Sequence, residues 1–326
     1  MRTGKLPENV LKRSVFRQMH VKRDDVLLAN GVGIDCAALR LEPEEAAVLS
    51  SDPVIWEDDC DGKRAVFSVC NDLACAGARP AGLLLTALLP GNVEEQQIRV
   101  MVKAIADACE PLGLQILGGH TEVTSAVNRP VISVTGVGKV RMDRMISPGG
   151  AKPGDDILVT KWIALEGTFR IAKRKEEELA VRYPRHMIRE AEEFDRYLSV
   201  LPEAELAAEA GVHAMHDISE GGVLGALWEL AECSGVGLEI ELKKIPLRQE
   251  TVEICDFYGL NPYQMVSGGS MLMAAEDGNG LVHRLAQAGI PAVIVGKATA
   301  GNDRVILNGE ERRFLELPQT DEIHKI

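Results

Sequence analysis

Three aspartates are each surrounded by apolar or small residues, at the expected ends of strands. Asp35 lies in GVGIDCAAL (31–39), Asp52 in SSDP (50–53) and Asp72 in CNDLA (70–74). Because Mg²⁺ takes carboxylate oxygens from separate elements, these residues are candidate ligands for that ion. An aspartate at a strand end is more often a turn former or a helix cap, so each one alone has a structural alternative.

A second candidate site lies at the start of the helix predicted in HDISEGGVLGALWELAECSG (216–235). Ser219 is the predicted N-cap, which places Gly221 and Gly222 in the first turn. Each glycine there costs about 1 kcal/mol relative to alanine, so helix packing alone does not explain the pair. Exposed backbone N–H groups at a helix N-terminus bind anions such as phosphate. The alternative is that the glycines admit a neighbouring element closely.

His216 precedes this helix and is a candidate acid–base group, because its unperturbed pKa lies near neutrality. The alternative is a buried ring that is held by hydrogen bonds. The sequence alone leaves both interpretations open.

The elements that position these residues follow from hydrophobic periodicity and turn residues. The pattern predicts a helix that starts at Asn92, with Glu95 three residues later, and stops at Gly113. Further helices are expected near 166–178, 185–199, 202–210 and 222–234. Strands are expected at PVIWE, RAVFSV, LLLTALLP, LQIL, PVISVTGVGKV, GLEIEL, SMLMAA and AVIVGKA, followed by a hairpin in RVILNGEERRF.

The length of 326 residues favours two domains. The Pro- and Gly-rich segment MISPGGAKPGDD (145–156) predicts a boundary between residues 1–144 and 145–326. No segment approaches the roughly 20 apolar residues of a membrane span. The start shows no secretory signal, so we expect a cytoplasmic protein.

A net charge of −13 disfavours nucleic acid as a partner, because no basic cluster offsets it. The seven cysteines contain no C-x-x-C pair, which predicts reduced thiols rather than a disulfide framework or a zinc site.

Four segments together resemble the PurM-like, AIR synthase-related superfamily of ATP-using enzymes, nearest its HypE branch. GIDCAAL resembles the family's Asp-Asp-Ala-Ala-Val, and SSDP its Thr-Asp. VCNDLACAGARP (69–80) is close to Val-Asn-Asp-Leu-Ala-x-x-Gly-Ala-x-Pro. GGHTEV (118–123) resembles Gly-Gly-Asp-Thr, and MHDISEGGV (215–223) resembles Asp-Pro-Thr-x-Gly-Gly.

The resemblance implies an α+β fold with two AIR synthase-like domains. The strands of the N-terminal half would pair across a homodimer into a β-barrel, and the C-terminal half would be an α/β sandwich. The implied cofactors are ATP and Mg²⁺. The implied metal ligands are Asp35, Asp52, Asp72, His120 and Glu122, where His120 stands in the place of a family carboxylate. The implied nucleotide-binding residues are Asn71, Gly118, Gly119, Thr121, Lys161, Asp217, Ser219, Gly221 and Gly222, and the catalytic candidates are Asp72 and His216.

The leading hypothesis is an ATP- and Mg²⁺-dependent enzyme that phosphorylates or activates an amide-like acceptor, which is a small molecule or a protein. The chain ends in ELPQTDEIHKI and has no cysteine after Cys255, so we expect it to lack the terminal cysteine that HypE proteins carry. The alternative is a nucleotide-binding partner or regulatory protein without turnover, which His120 favours.

Overall fold

The computed structural model describes residues 4–5, 10–28, 38–316 and 320–326. The chain divides into two compact units. Unit 1 comprises Met1–Leu73 and Ala78–Met145, and unit 2 comprises Ala74–Gly77 and Ile146–Ile326. The predicted boundary at 144/145 therefore lies one residue from the main division of the chain.

A mixed sheet forms the centre of unit 1. Its strand order is β1-β6-β5-β7-β4, and only β5 and β6 of the described neighbours are parallel. A separate antiparallel pair joins β2 to β3. The strands are β1 (Gly4–Lys5), β2 (Val26–Leu28), β3 (Ala38–Leu39), β4 (Glu45–Ile55), β5 (Arg79–Leu89), β6 (Gln115–Val123) and β7 (Val131–Arg141).

Two long helices belong to this region, α1 (Asp61–Cys75) and α2 (Glu95–Cys109). The strand predicted at RAVFSV (64–69) is wrong, because these residues form the middle of α1. The buried residues of α1 in this region recur with a helical period: Ala65, Val66, Val69, Cys70, Leu73 and Ala74. Val69 and Leu73 lie beside Gly136 of β7. Leu73, for example, packs with Val140 of β7 and Val48 of β4.

The predicted helix after Asn92 is confirmed as α2, but its N-cap is Glu94. Glu94 and Gln97 form a capping box, in which the Gln97 side chain accepts from the Glu94 backbone N–H at 2.8 Å. Gly113 ends the following short 3₁₀ turn in the left-handed conformation, with φ of 61°.

A sheet with the order β14-β13-β10-β12-β8-β11-β9 forms the centre of unit 2. Its strands are β8 (Asp156–Thr160), β9 (Ala214–Asp217), β10 (Gly237–Glu241), β11 (Met271–Ala275), β12 (Ala292–Thr299), β13 (Arg304–Asn308) and β14 (Glu311–Phe314). The predicted strands at GLEIEL, SMLMAA and AVIVGKA and the predicted hairpin are confirmed.

Helices cover both faces of this sheet. α6 (Leu201–Ala210) and α9 (Gly278–Gln287) pack on one face and α7 (Gly222–Ser234) packs on the other. Four further helices pack against one another: α3 (Leu165–Arg174), α4 (Glu176–Leu179), α5 (Arg185–Glu192) and α8 (Gln249–Tyr258). Ile157 and Val159 of β8 pack with Leu227 of α7, whereas Leu158 packs with Ala207 of α6 on the opposite face. β8 is therefore buried on both faces, which explains its continuous apolar sequence.

The described cysteines are all free. Within the described ranges, no helix combines the length and apolar character that crossing a membrane requires.

Candidate functional site

In unit 1, the Asp72 carboxylate lies against strand β4. Asp72 is in the last turn of α1, and its Oδ2 accepts a hydrogen bond from Ser50 Oγ of β4. Asp52 is two residues beyond Ser50 and therefore lies on the same face of the strand. Asn71, which precedes Asp72, is 2% exposed. The sequence placed Asp72 at the end of a strand, but a helix delivers it to β4.

The strand register places Asp52 and His120 on opposite faces of the sheet. Asp52 pairs with Val134, Val134 with Leu85, and Leu85 with Gly119, so these four positions share the face on which α1 packs. His120 is the next residue after Gly119 and therefore lies on the other face, which we call the open face. The predicted metal ligands of unit 1 thus separate into two groups.

On the open face, His120 Nε2 lies 3.1 Å from Glu122 Oε2. Both side chains are partly exposed, with relative exposures of 42% and 35%. We also searched the described residues for three acidic, cysteine or histidine side chains whose ligand atoms lie within 4.8 Å of one another. Among those residues only Asp58, Asp59 and Cys60 form such a group, and none of the three is a predicted ligand. Asp35 lies outside the described residues.

The glycine pair in β6 has two different roles. Gly119 has a φ of +139°, and a Cβ added there would lie 1.8 Å from the Leu85 carbonyl oxygen. Gly118 has open space, since the nearest atom to an added Cβ is Leu84 Cδ2 at 3.7 Å. Backbone geometry therefore requires glycine only at position 119 of this pair. Thr121 follows on the same face as Gly119.

In unit 2, the ammonium group of Lys161 is buried and contacts three oxygen atoms of the same unit. Its Nζ lies 2.6 Å from Glu203 Oε1 and donates to the backbone oxygens of Ser199 at 2.6 Å and Tyr197 at 3.0 Å. Burial lowers the pKa of Lys161, and the Glu203 carboxylate opposes this effect. A phosphate contact from Lys161 would break these bonds, so the structure favours a structural role for this residue over the predicted nucleotide contact.

His216 lies between two carboxylates. Its Nε2 is 3.1 Å from Glu229 Oε2, and its Nδ1 is 3.6 Å from Asp217 Oδ1. Burial on its own would lower the pKa of His216, but the two carboxylates outweigh it and raise this pKa to about 9. The ring is therefore protonated at neutral pH and is unsuited to act as a general base there.

The N-terminus of α7 differs from the sequence prediction. The N-cap is Gly221, with φ of 86°, and the exposed Ser219 makes no side-chain capping bond. A Cβ added at Gly222 would lie 2.6 Å from the Tyr263 carbonyl oxygen and 2.8 Å from the Met265 backbone nitrogen. The close neighbouring element, which was the alternative explanation, therefore accounts for Gly222.

A carboxylate from the C-terminal segment already occupies this helix start. Asp321 is 1% exposed, and its Oδ2 accepts from the Gly221 backbone N–H at 2.7 Å. Its Oδ1 accepts from the Ile323 N–H at 2.9 Å. The sequence predicts a phosphate at this helix start, and in the structure the Gly221 N–H donates to a carboxylate of the same chain.

Comparison with known proteins places the chain in a family. The model of the AIR synthase related protein N-terminal domain matches residues 33–140, and that of the C-terminal domain matches residues 152–308. Carbamoyl dehydratase HypE of Rhodobacter capsulatus is 30% identical over 254 residues, covering 76% of this chain and 72% of the relative. The chain belongs to the AIR synthase-related family.

Two further similarities extend over almost the whole chain of this AIR synthase-related protein. A putative hydrogenase expression/formation protein of Methanocaldococcus jannaschii is 27% identical over 337 residues, which cover 99% of this chain and 97% of the relative. A crystal structure of the hydrogenase maturation protein HypE in complex with ATP has a TM-score of 0.80 and 20% identity, covering 98% of this chain and 97% of that one. The fold is therefore the PurM-like, two-domain α+β fold.

Two segments of this AIR synthase-related chain lie beside the start of α7 and were not predicted from the sequence. The loop 265–270 lies beside the segment before α7, because Ser267 N donates to Ser219 O at 3.4 Å and Ile218 N donates to Ser270 O at 2.9 Å. The glycines of SGGS (267–270) were a possible signal for this loop. Asp321 gave no signal, since it lies 100 residues from Gly221.

Proposed function

We propose that this protein is an ATP- and Mg²⁺-dependent enzyme that phosphorylates or activates an oxygen of an amide-like acceptor. Three comparisons support the proposal. The chain matches both AIR synthase related domains, a resemblance that implies ATP as a cofactor. The similar HypE crystal structure was solved with ATP, and the Rhodobacter relative is named a carbamoyl dehydratase. The acceptor is a small molecule or a protein.

The observation that carries the proposal is the position of Asp72 against Ser50, with Asp52 on the same face of β4. These side chains present carboxylate and hydroxyl oxygens, the donor set that Mg²⁺ prefers, and that ion needs few protein ligands because it keeps several waters. The residues therefore fit the metal. When bound, the ion would neutralise phosphate charge, which is a main requirement of phosphoryl transfer.

The remaining predicted residues would position the substrate. His216 enters the proposal as a protonated group, which offers a positive charge and a proton to an oxygen. The α7 N-terminus enters as an anion-binding element of unit 2, and Asp321 must move before a phosphate can bind the Gly221 N–H.

The experiment is a calorimetric titration of ATP, with and without Mg²⁺, into wild type and three variants. Asp72→Asn and Asp52→Asn are expected to lose at least about tenfold in Mg²⁺-dependent affinity, roughly 1.4 kcal/mol, and to keep the fold. Asp107→Asn, at an exposed carboxylate of α2, is the matched control. If Asp72→Asn unfolds more easily but binds ATP like wild type, Asp72 is a structural residue and the proposal fails.

A turnover measurement distinguishes the two hypotheses that the sequence left open, an ATP-dependent enzyme and a nucleotide-binding protein without turnover. ATP hydrolysis that depends on an added acceptor supports the enzyme, whereas tight ATP binding without hydrolysis for any acceptor supports a binding or regulatory protein. A metabolite screen by thermal shift in the presence of ATP is a direct way to find the acceptor.

We also propose that the open face of the unit 1 sheet is covered by a second copy of the chain, as the family resemblance implies. Leu49 and Ile55 of β4 are 64% and 53% exposed there, and burying such apolar surface stabilises an interface. Leu49→Glu is expected to convert a dimer into a monomer in light scattering, whereas Val181→Glu, at an exposed site of unit 2, leaves the mass unchanged. A wild-type protein that is monomeric at micromolar concentration contradicts the proposal.

A further inference from the structure

A cavity lies within unit 1 at one end of its five-stranded sheet. Its volume is about 320 Å³, which is at the lower end for small-molecule sites. The residues that line it follow β4, follow β5 or precede β7. None of the predicted nucleotide or metal ligands lines it, so this cavity is separate from the groups on which the proposed function rests.

One part of the lining is apolar. Pro90, Val93 and Pro130 contribute aliphatic surface, and Trp56 contributes an indole. The Trp56 backbone N–H donates to Pro130 O at 3.0 Å, which fixes these two segments relative to each other. An indole beside aliphatic surface suits a planar ring, because aromatic groups gain by offset or edge contacts as well as by burial.

The polar part of the lining consists of Glu57, Arg129 and three amide side chains, Asn92, Gln97 and Asn128. The Arg129 guanidinium has five N–H donors, and its Nη1 donates to Glu57 Oε1 at 3.1 Å. This ion pair has relative exposures of 64% and 38%, so it contributes little to stability and a ligand can compete for it. The capping box uses Oε1 of Gln97, which leaves the side-chain NH₂ of that residue as its donor.

The charges of the lining select the kind of ligand. Among the lining residues, all of which the structure describes, Arg129 is the only cation and Glu57 the only anion. A polyphosphate would bring several negative charges against one guanidinium, whereas a single carboxylate matches its bidentate geometry.

We propose that this cavity binds a small planar carboxylate, an aromatic or heteroaromatic acid, with its carboxylate on Arg129 and its ring against Trp56. This site is independent of the proposed ATP-dependent activity. Glu57 competes with the ligand for the guanidinium. Removing the charge of Arg129 should therefore weaken acid binding, and removing the charge of Glu57 should strengthen it.

The test titrates benzoate, nicotinate and indole-3-carboxylate into the full chain, together with the matched neutral amides, by calorimetry and ligand-detected NMR. At least one acid is expected to bind at least tenfold more tightly than its amide. Arg129→Gln is expected to remove this preference, and Glu57→Gln is expected to tighten acid binding at least threefold. Arg144→Gln, at an exposed arginine that does not line the cavity, is expected to match wild type.

Three results would overturn the proposal: no binding of any acid, equal binding of acids and amides, or an unchanged preference in Arg129→Gln. Melting temperatures confirm that each variant is folded. ATP titration separates this site from the proposed function, since Arg129→Gln should bind ATP as wild type does even if the carboxylate site is lost.

Discussion

The Oδ2 atom of Asp321 accepts a hydrogen bond from the backbone N–H of Gly221 at 2.7 Å and thereby joins the C-terminal segment to the start of α7. Neighbouring contacts support the same docking. Glu322 Oε2 accepts from Asn261 N at 3.2 Å, and His324 Nε2 lies 3.2 Å from Glu220 Oε1. The segment 320–326 therefore covers the N–H group that the sequence argument assigned to phosphate.

We expect Asp321→Ala to have two measurable effects. It should lower the free energy of unfolding by about 1–3 kcal/mol, because the buried N–H of Gly221 and the partly buried N–H of Ile323 lose their acceptor. It should also raise the affinity for inorganic phosphate or ATP at least threefold, because the competing carboxylate is removed. Thermal unfolding and calorimetry measure the two effects separately.

The matched control for this prediction is Glu316→Ala, which removes an exposed carboxylate a few residues earlier in the chain. It should change neither quantity. A destabilised Asp321→Ala protein whose phosphate and ATP affinities equal those of wild type would show that Asp321 is a helix cap without competition for an anion.

The two glycines of GGHTEV provide a second test, because they are adjacent but differ in environment. Gly119→Ala should destabilise the protein by about 3 kcal/mol or more, since the positive φ and the Leu85 carbonyl both exclude a Cβ. Gly118→Ala should change stability by less than about 1 kcal/mol. Equal melting temperatures for the two variants would contradict this assignment.

His216 should make stability depend on pH in the alkaline range. Its pKa of about 9 in the folded protein lies above the ordinary value of 6.5, so its stabilising contribution is fully present below pH 6.5. The contribution is lost as the pH rises through 9. Urea unfolding between pH 6 and 10 should therefore show a decline that is reduced in His216→Gln. His283→Gln, at an exposed histidine of α9, should keep the wild-type profile.

The sequence predicted the second unit more completely than the first, for a physical reason. Strands such as SMLMAA are buried on both faces, and a continuous apolar run marks them clearly. In RAVFSV, β-branched and aromatic residues suggested a strand, although the buried positions of 65–74 follow a helical period. A window longer than six residues would have shown this period.

The family was predictable because its motif residues are adjacent in sequence, whereas the contacts of the candidate site are long-range and were not predicted. The motif around Asn71 and Asp72 identified the family, but the contact between Asp72 and Ser50 depends on how α1 packs on β4. The role of Gly222 likewise depends on the backbone of 263–265, some 40 residues later. Sequence periodicity contains no information on which distant segments come into contact.

His120 provides the last test, because it stands where the family resemblance expects a carboxylate. His120→Asp would place a second carboxylate beside Glu122 on the open face, closer to the strand than the Nε2 atom that now lies 3.1 Å from Glu122 Oε2. Two carboxylates that repel each other bind a hard cation better than an imidazole and one carboxylate do. We therefore expect the variant to gain a metal contact on the open face, in addition to the one proposed at Asp52 and Asp72, and its Mg²⁺-dependent ATP binding to tighten at least threefold in calorimetry. His120→Ala should not tighten it, since it adds no oxygen ligand. If His120→Asp instead weakens ATP binding as much as His120→Ala does, the imidazole itself contacts the nucleotide.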